Sequence, residues 1–277
     1  MRVLTAVIAF VFLPVFVLGA ELTVTVSIPP QKYLLERIAG ERVAVNVMMG
    51  SGSDPHSFSP KIQQAVLLSK SALYIGIGFP FEASTLKQLA SSYKNLEIID
   101  SSADLDKVAE NGHGHKHGEE LDPHVWTSPR LMVKVAENTM NALIKADPEG
   151  CERYKSGYES FKAEALAFDE RFKALFNGEE IAFLVYHPSF GYFAADYGLH
   201  QHSIEVDGAS PKALQIKAFI DDAREEGIKL FIVQPTHSDA AAGVIAKELN
   251  LNTVSIDILA EDWGAMMEGL YQAFAAL

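Results

Sequence analysis

The chain has 277 residues, 48% hydrophobic and 21% charged, with 12 Pro and 19 Gly, a globular composition that excludes a disordered, collagen-like or fibrous protein. Lysine and arginine number 23 against 36 aspartates and glutamates, a formal net charge of −13, so there is no basic footprint for phosphate backbones and nucleic acid is not an expected partner. At about 100–200 residues per domain, the length accommodates two lobes, each with its own core.

Met1 and Arg2 precede an apolar run from Val3 to Leu18 that closes on Gly19-Ala20 before Glu21. A basic start, an apolar middle and small residues at the end form the pattern of a cleaved export signal, here residues 1–20. The run is short for a membrane span and is interrupted by Pro14, which argues against a permanent anchor. Cys151 is the single cysteine, so no internal disulfide is expected and no thiol stands at the cleavage point for a lipid. These features point to a periplasmic protein.

From there strand and helix patterns alternate. Residues 21–146 form the first lobe: strand Leu22 to Ser27, helix Gln31 to Gly40, strand Val43 to Met49, helix Pro60 to Ser69, strand Leu73 to Ile77, helix Phe81 to Ser91 and strand Leu96 to Ile99. Asp104 to Glu120 breaks every period, and its 112–118 stretch, with His113, His115 and His117, reads as a polar loop. Asp147-Pro148 offers a helix cap with proline at the first helical position. The stripe Tyr154, Tyr158, Phe161, Ala165, Phe168, Phe172, Leu175 then runs unbroken to Phe176. This predicts a linking helix within 147–177, about 43 Å long at 1.5 Å per residue, that bridges both lobes. Residues 178–277 repeat the alternation: strand Ile181 to Tyr186, helices Phe190 to Tyr197 and Pro211 to Glu226, strand Leu230 to Gln234, helix Ser238 to Leu249, strand Thr253 to Ile256 and helix Trp263 to Ala276. The expected fold is α/β, with two (βα)n lobes of mostly parallel sheet joined by one long α-helix.

The histidines carry the chemistry. Asp54-Pro55-His56 and Asp122-Pro123-His124 are copies of one tripeptide in which proline stiffens the turn that presents the imidazole. His187 directly follows the strand ending at Tyr186, and Asp257 directly follows the strand ending at Ile256. In open α/β sheets the carboxyl edge of the strands is where ligands bind. Three imidazoles and one carboxylate are a donor set that Zn²⁺ accepts in tetrahedral geometry, with manganese as the alternative ion. A lone histidine in a turn is ordinarily a surface or hydrogen-bonded residue. The duplication lifts His56 and His124 above that reading, whereas His187 and Asp257 stand equally open to either on spacing alone. Glu205 is a candidate for orienting a ligand imidazole, a solvated loop position being the other reading. His200, His202 and His237 read as structural or exposed, and the cluster His113, His115, His117 as an auxiliary zinc-capture tract, a spacer with incidental histidines being the other reading.

Taken together, the chain resembles the zinc/manganese solute-binding proteins of bacterial ABC importers, the ZnuA/TroA-like family, in its zinc branch. The residues that carry the likeness are the signal segment, Gly52-Ser53-Asp54-Pro55-His56 with Pro60, the His-rich loop before Asp122-Pro123-His124-Val125-Trp126, the linking helix, and His187 with Phe190-Gly191-Tyr192-Phe193 and Tyr197-Gly198-Leu199. The resemblance implies that His56, His124 and His187 ligate the metal directly, with Asp257 or a water as the fourth ligand. A histidine at the third position, His187, marks zinc members. It also implies delivery of Zn²⁺ to an inner-membrane ABC permease by a monomeric periplasmic protein, with no enzymatic activity. The disulfide of some zinc members has no counterpart here. The rival classes are a secreted zinc hydrolase, for which no His-Glu-x-x-His helix is present, and an adhesin-like surface protein.

Overall fold

The computed structural model describes residues 22–50, 52–53, 57–108, 121–205, 211–235 and 240–277. The expected export signal at residues 1–20, His56, the loop 112–118 and His237 lie outside these residues.

The first lobe contains β1 (Leu22–Val26), α1 (Pro29–Ala39), β2 (Val43–Val47), α2 (Ile62–Ser69), β3 (Leu73–Gly76), α3 (Lys87–Ala90) and β4 (Glu97–Asp100). Its four strands lie in the order β2-β1-β3-β4 and every pairing is parallel, with Val24 facing Val45 on one side and Leu73 on the other. Strands β1 and β3 are central and buried along nearly their whole length, Thr25 of β1 included, because helices cover both faces of a parallel sheet.

The second lobe has the same plan. It contains β5 (Ala182–Val185), α6 (Gly191–Tyr197), β6 (His200–Ser203), α7 (Ala213–Glu225), β7 (Leu230–Val233), α8 (Ala240–Leu249), β8 (Asn252–Ser255) and α9 (Trp263–Ala275). Its order is β6-β5-β7-β8, again parallel throughout. Strand β6, whose sequence is HQHS, was not anticipated from the sequence. An edge strand needs only backbone pairing, here Leu184 opposite His202, and does not have to carry an apolar face.

Between the lobes stand α4 (Pro129–Ala146) and α5 (Cys151–Phe176). The sequence reading assigned no element to 129–146, yet Ser128 caps α4 by accepting from Leu131 N, Pro129 begins it, and Met132, Val135, Ala136, Thr139, Ala142 and Leu143 form its buried stripe. Helix α5 starts three residues later than the Asp147-Pro148 signal suggests, because Pro148–Gly150 forms a 3-10 turn. Asp147 makes no side-chain cap there; its carboxylate instead receives Arg42 Nε at 2.5 Å, Arg42 Nη2 at 2.9 Å and the Tyr154 hydroxyl.

Helix α5 bridges the lobes as expected. It packs on α1 and α4 on one side and on α6 and α9 on the other. At Gly157 it touches α1 backbone to backbone, since a Cβ there would fall 2.2 Å from the Ile38 carbonyl oxygen. Further along, Phe172 and Phe176 join Phe193, Tyr197 and Phe274 in an aromatic cluster, with Phe172 edge-on to Phe193 at 4.8 Å, a favoured geometry for ring pairs. One apolar core thus runs from the first sheet through α5 to the inner face of the second. A smaller cluster around Leu184, Phe231 and Ile245 lies separately in the second lobe.

Candidate metal centre

His124 and His187 come together. Their ring centroids are 5.1 Å apart at 68°, one edge approaching the other's face. His124 enters from the segment that leads into α4, and His187 from the end of β5, so these two imidazoles come from different lobes. Both side chains are buried, at 1% and 6% exposure.

Each imidazole is held from behind by a carboxylate. His124 Nδ1 lies 2.7 Å from Asp122 Oδ1, which also accepts the His124 backbone N–H at 2.8 Å. His187 Nδ1 lies 2.7 Å from Glu205 Oε2. A carboxylate on Nδ1 favours the tautomer that carries its proton there and keeps a lone pair on Nε2, and both Nε2 atoms are buried. Glu205, raised from the sequence as a candidate for orienting an imidazole, thus stands on the His187 ring and not in a solvated loop.

The backbone of each seat is fixed by longer-range bonds. Gln234, just past β7 and 1% exposed, donates to the His187 carbonyl at 2.9 Å and to Ser189 Oγ at 2.8 Å, and accepts from His187 N at 3.3 Å. Tyr192 of α6 donates to the Asp122 carbonyl at 2.8 Å across the lobes; burial, with the charge of Asp122 added, pushes its phenol up to about 12. Trp126 packs its ring 5.2 Å from His124 and donates Nε1–H to the Ile258 carbonyl at 2.8 Å, while Trp263 Nε1 donates to the Trp126 carbonyl. Gln234, Tyr192 and Trp126 were not singled out as supports from the sequence. Each acts on a partner far along the chain, and no local spacing announces that.

Asp257 follows β8 and is half-buried. It accepts from Leu259 N at 2.9 Å, and its neighbour Ile258 is the residue that Trp126 grips, so Asp257 stands on the segment tied to the His124 side. Among the described residues, no group of three or more His, Cys, Asp or Glu forms a metal-binding cluster. His200 is exposed and His202 Nε2 meets Glu226 Oε2 at 2.5 Å on the surface, in keeping with the structural reading of both. Among the described residues, no helix is long and apolar enough to cross a membrane.

Two like α/β lobes on a rigid connecting helix, with buried histidines meeting between them, define a two-lobed solute-binding protein. A family model described as ZnuA, the periplasmic component A of a zinc-uptake complex, matches residues 24–276, and the chain belongs to this family. A crystal structure of ZnuA superposes with a TM-score of 0.84 at 32% identity, covering 92% of this chain and 98% of the other. A ZnuA deletion mutant with zinc bound gives 0.83 at 33%, covering 92% and 96%. The zinc-binding protein AdcA of Streptococcus pyogenes serotype M3 is 29% identical over 244 residues, which is 80% of this chain and 47% of AdcA. The chain therefore spans about half the length of that relative. The family is described as a component of a zinc-uptake complex, not as a hydrolase.

Proposed function

We propose that this protein binds Zn²⁺ between its lobes outside the cytoplasm and hands it to a membrane permease of the ABC class. The observation that carries the reading is the meeting of His124 and His187 at 5.1 Å, one from each lobe, each with Nδ1 on a carboxylate. Two imidazoles sharing one tetrahedral ion at Zn–N distances of about 2.0–2.1 Å would have ring centroids about 5 Å apart. His56 and Asp257 complete the proposed ligand set. Asp122 and Glu205 orient the two central ligands, a support that metal-bound histidines commonly have. Zinc, a cation held by neutral imidazoles, suits this nitrogen-rich set better than manganese, which favours oxygen donors.

The test is zinc binding by the metal-free chain. At a free zinc level a hundred times Kd, linkage stabilises the fold by about 2.7 kcal/mol, which raises Tm by roughly 5–10 °C for a chain of this size. His187→Ala should weaken zinc by more than about a hundredfold in chelator competition, while His200→Ala leaves it unchanged. Equal melting temperatures with and without zinc would defeat the reading. Because imidazole nitrogens bind metal or protons but not both, affinity should also fall on acidification.

A further inference from the structure

The two lobes share more than strand order. The helix that leaves the edge strand in each, α2 after β2 and α7 after β6, opens with nearly the same hexapeptide: Ser59-Pro60-Lys61-Ile62-Gln63-Gln64 and Ser210-Pro211-Lys212-Ala213-Leu214-Gln215. The local structure is shared as well. Lys61 and Lys212 are extended at the cap position, and the glutamine three residues on accepts the lysine backbone N–H, Gln64 Oε1 at 3.0 Å and Gln215 Oε1 at 2.7 Å. Each first turn then presents a large aliphatic side chain to solvent beside an exposed lysine. Ile62 is 84% exposed and Leu214 81%, one residue apart in the repeat.

Single exposed aliphatics are ordinary on protein surfaces. A matched pair on the same element of two lobes is not explained that way, since neither side chain contributes to either core. The placement is also matched. In a parallel lobe the start of a helix that follows a strand lies at the carboxyl edge of the sheet, the edge that carries His187. His56 stands three residues before Ser59, and Glu205, which holds His187, stands five before Ser210. Lysine at both knobs is notable on a chain of net charge −13, and it gives each knob one chemistry, an aliphatic tip flanked by a cation.

We infer that Ile62 with Lys61 and Leu214 with Lys212 form two equivalent docking knobs, one per lobe, for the membrane component of the uptake complex. That partner presents two like surfaces, each an apolar pocket beside an acidic residue. The family's place as one component of a complex supplies the need for a partner, and the repeat supplies its symmetry. This rests on the uptake reading above. It adds that docking engages both lobes at once, through one knob on each, so the partner senses the spacing between the lobes.

The test measures stimulation of ATP hydrolysis by the purified membrane component of the same uptake system in lipid vesicles, with zinc-loaded chain added. Ile62→Glu and Leu214→Glu should each raise the half-stimulating concentration about thirtyfold, the scale of losing one buried interface anchor, and by amounts within about threefold of each other. The double variant should not stimulate at all. Lys61→Glu and Lys212→Glu should weaken stimulation in a salt-dependent way. Zinc affinity by chelator competition should be unchanged in all of them. A double variant that stimulates as well as the unaltered chain overturns the inference, and so does one silent knob beside one essential knob. Binding to bare lipid vesicles that the variants abolish would assign the knobs to lipid instead. A dimer of the unaltered chain that the variants split, seen by light scattering, would assign them to a second copy. If the unaltered chain neither binds zinc nor stimulates, the uptake reading itself fails, a result distinct from all of these.

Discussion

The carboxyl ends of the two central strands, β1 and β5, occupy the same place in their lobes and are put to different uses. In both, a glutamine fastens the central strand to its neighbour. Gln31 accepts from Ser27 N and Ile28 N and donates to the carbonyls of Ile75 and Gly76, and Gln234 clamps His187 from β7. In the second lobe the residue so fastened is an imidazole of the metal site. In the first it is Ser27, whose hydroxyl meets Tyr74 and donates to the carboxylate of Glu82, which also receives Ile77 N and Gly78 N. The first lobe therefore spends its strand end on structure and brings its imidazole from the segment before α4. It also sets an acid, Glu82, against backbone N–H groups and a hydroxyl, whereas the acid at the second lobe's strand end, Glu205, holds an imidazole. A repeated scaffold fixes where polar groups are needed, not which of them become functional.

The largest effect expected from this contrast is at Gln234. Gln234→Glu places a carboxylate against the His187 carbonyl and removes the donor to Ser189, leaving a buried charge without a counter-ion. The cost should be about 3–5 kcal/mol, read by chemical denaturation. A loss below about 1 kcal/mol would mean that the clamp is not needed.

Next comes the pH dependence of the first lobe. Burial pushes the Glu82 carboxyl from its ordinary 4.5 to about 7, with the charge of Asp100 adding to the rise and the donors from Ser27, Gly78 and Ile77 opposing it. A raised acid binds its proton more tightly folded than unfolded. Its contribution is therefore most favourable below about 4.5, is lost as pH rises toward 7, and leaves a penalty of about 3 kcal/mol above that. Subtracting the stability profile of Glu82→Gln from that of the unaltered chain should show this fall between about pH 4.5 and 7. A flat difference would remove the contrast between the lobes.

Smaller effects separate the two carboxylates behind the imidazoles. Asp122 holds both the ring and the backbone of His124 and is 1% exposed, so Asp122→Ala should lower zinc affinity toward a hundredfold and weaken the fold as well. Glu205 holds only the ring of His187, and glutamine can still accept there. Glu205→Gln should cost about tenfold with stability nearly unchanged. Chelator competition on both variants checks the order, and the reverse order would show that backbone anchoring of His124 is unimportant.

How much of this the sequence revealed follows from whether each signal is local. Strands such as Leu230–Val233 declare themselves as apolar runs and the stripe of α5 by its period. The doubled Asp-Pro-His contains the Asp122 and His124 pair within three residues, and the strand before His187 marks its edge. Glu205 could be suspected but not paired, being 18 residues from the ring it holds. Gln31, Glu82 and Gln234 gave no signal, because their partners lie on neighbouring strands. Strand β6 was hidden by its polar sequence. Helix α4 was not hidden, since Ser128-Pro129 carries the same kind of entry signal that was read at Asp147-Pro148.

That second signal misplaced the start of α5, and the reason yields the smallest prediction. The two ends of the connecting helix are fastened differently. The exit relies on backbone alone, with Asn177 left-handed at φ 46° and donating to the Lys173 carbonyl. The entry is ionic, with Asp147 committed to Arg42 and Tyr154 and so unavailable as a cap. The Arg42 guanidinium holds the Asp147 carboxyl at about 2, below its ordinary 3.8, with the Tyr154 hydroxyl assisting against desolvation. A depressed acid stabilises the fold above its unfolded value, and that contribution is lost as pH falls through about 4 toward 2. With solvent screening of a pair near the surface, it amounts to about 1 kcal/mol. Asp147→Asn should therefore lower stability by that amount at neutral pH and match the unaltered chain near pH 2. A difference that persisted at pH 2 would mean that the asparagine disturbs the 3-10 turn itself, and that the helix entry is held by geometry, like its exit, and not by charge.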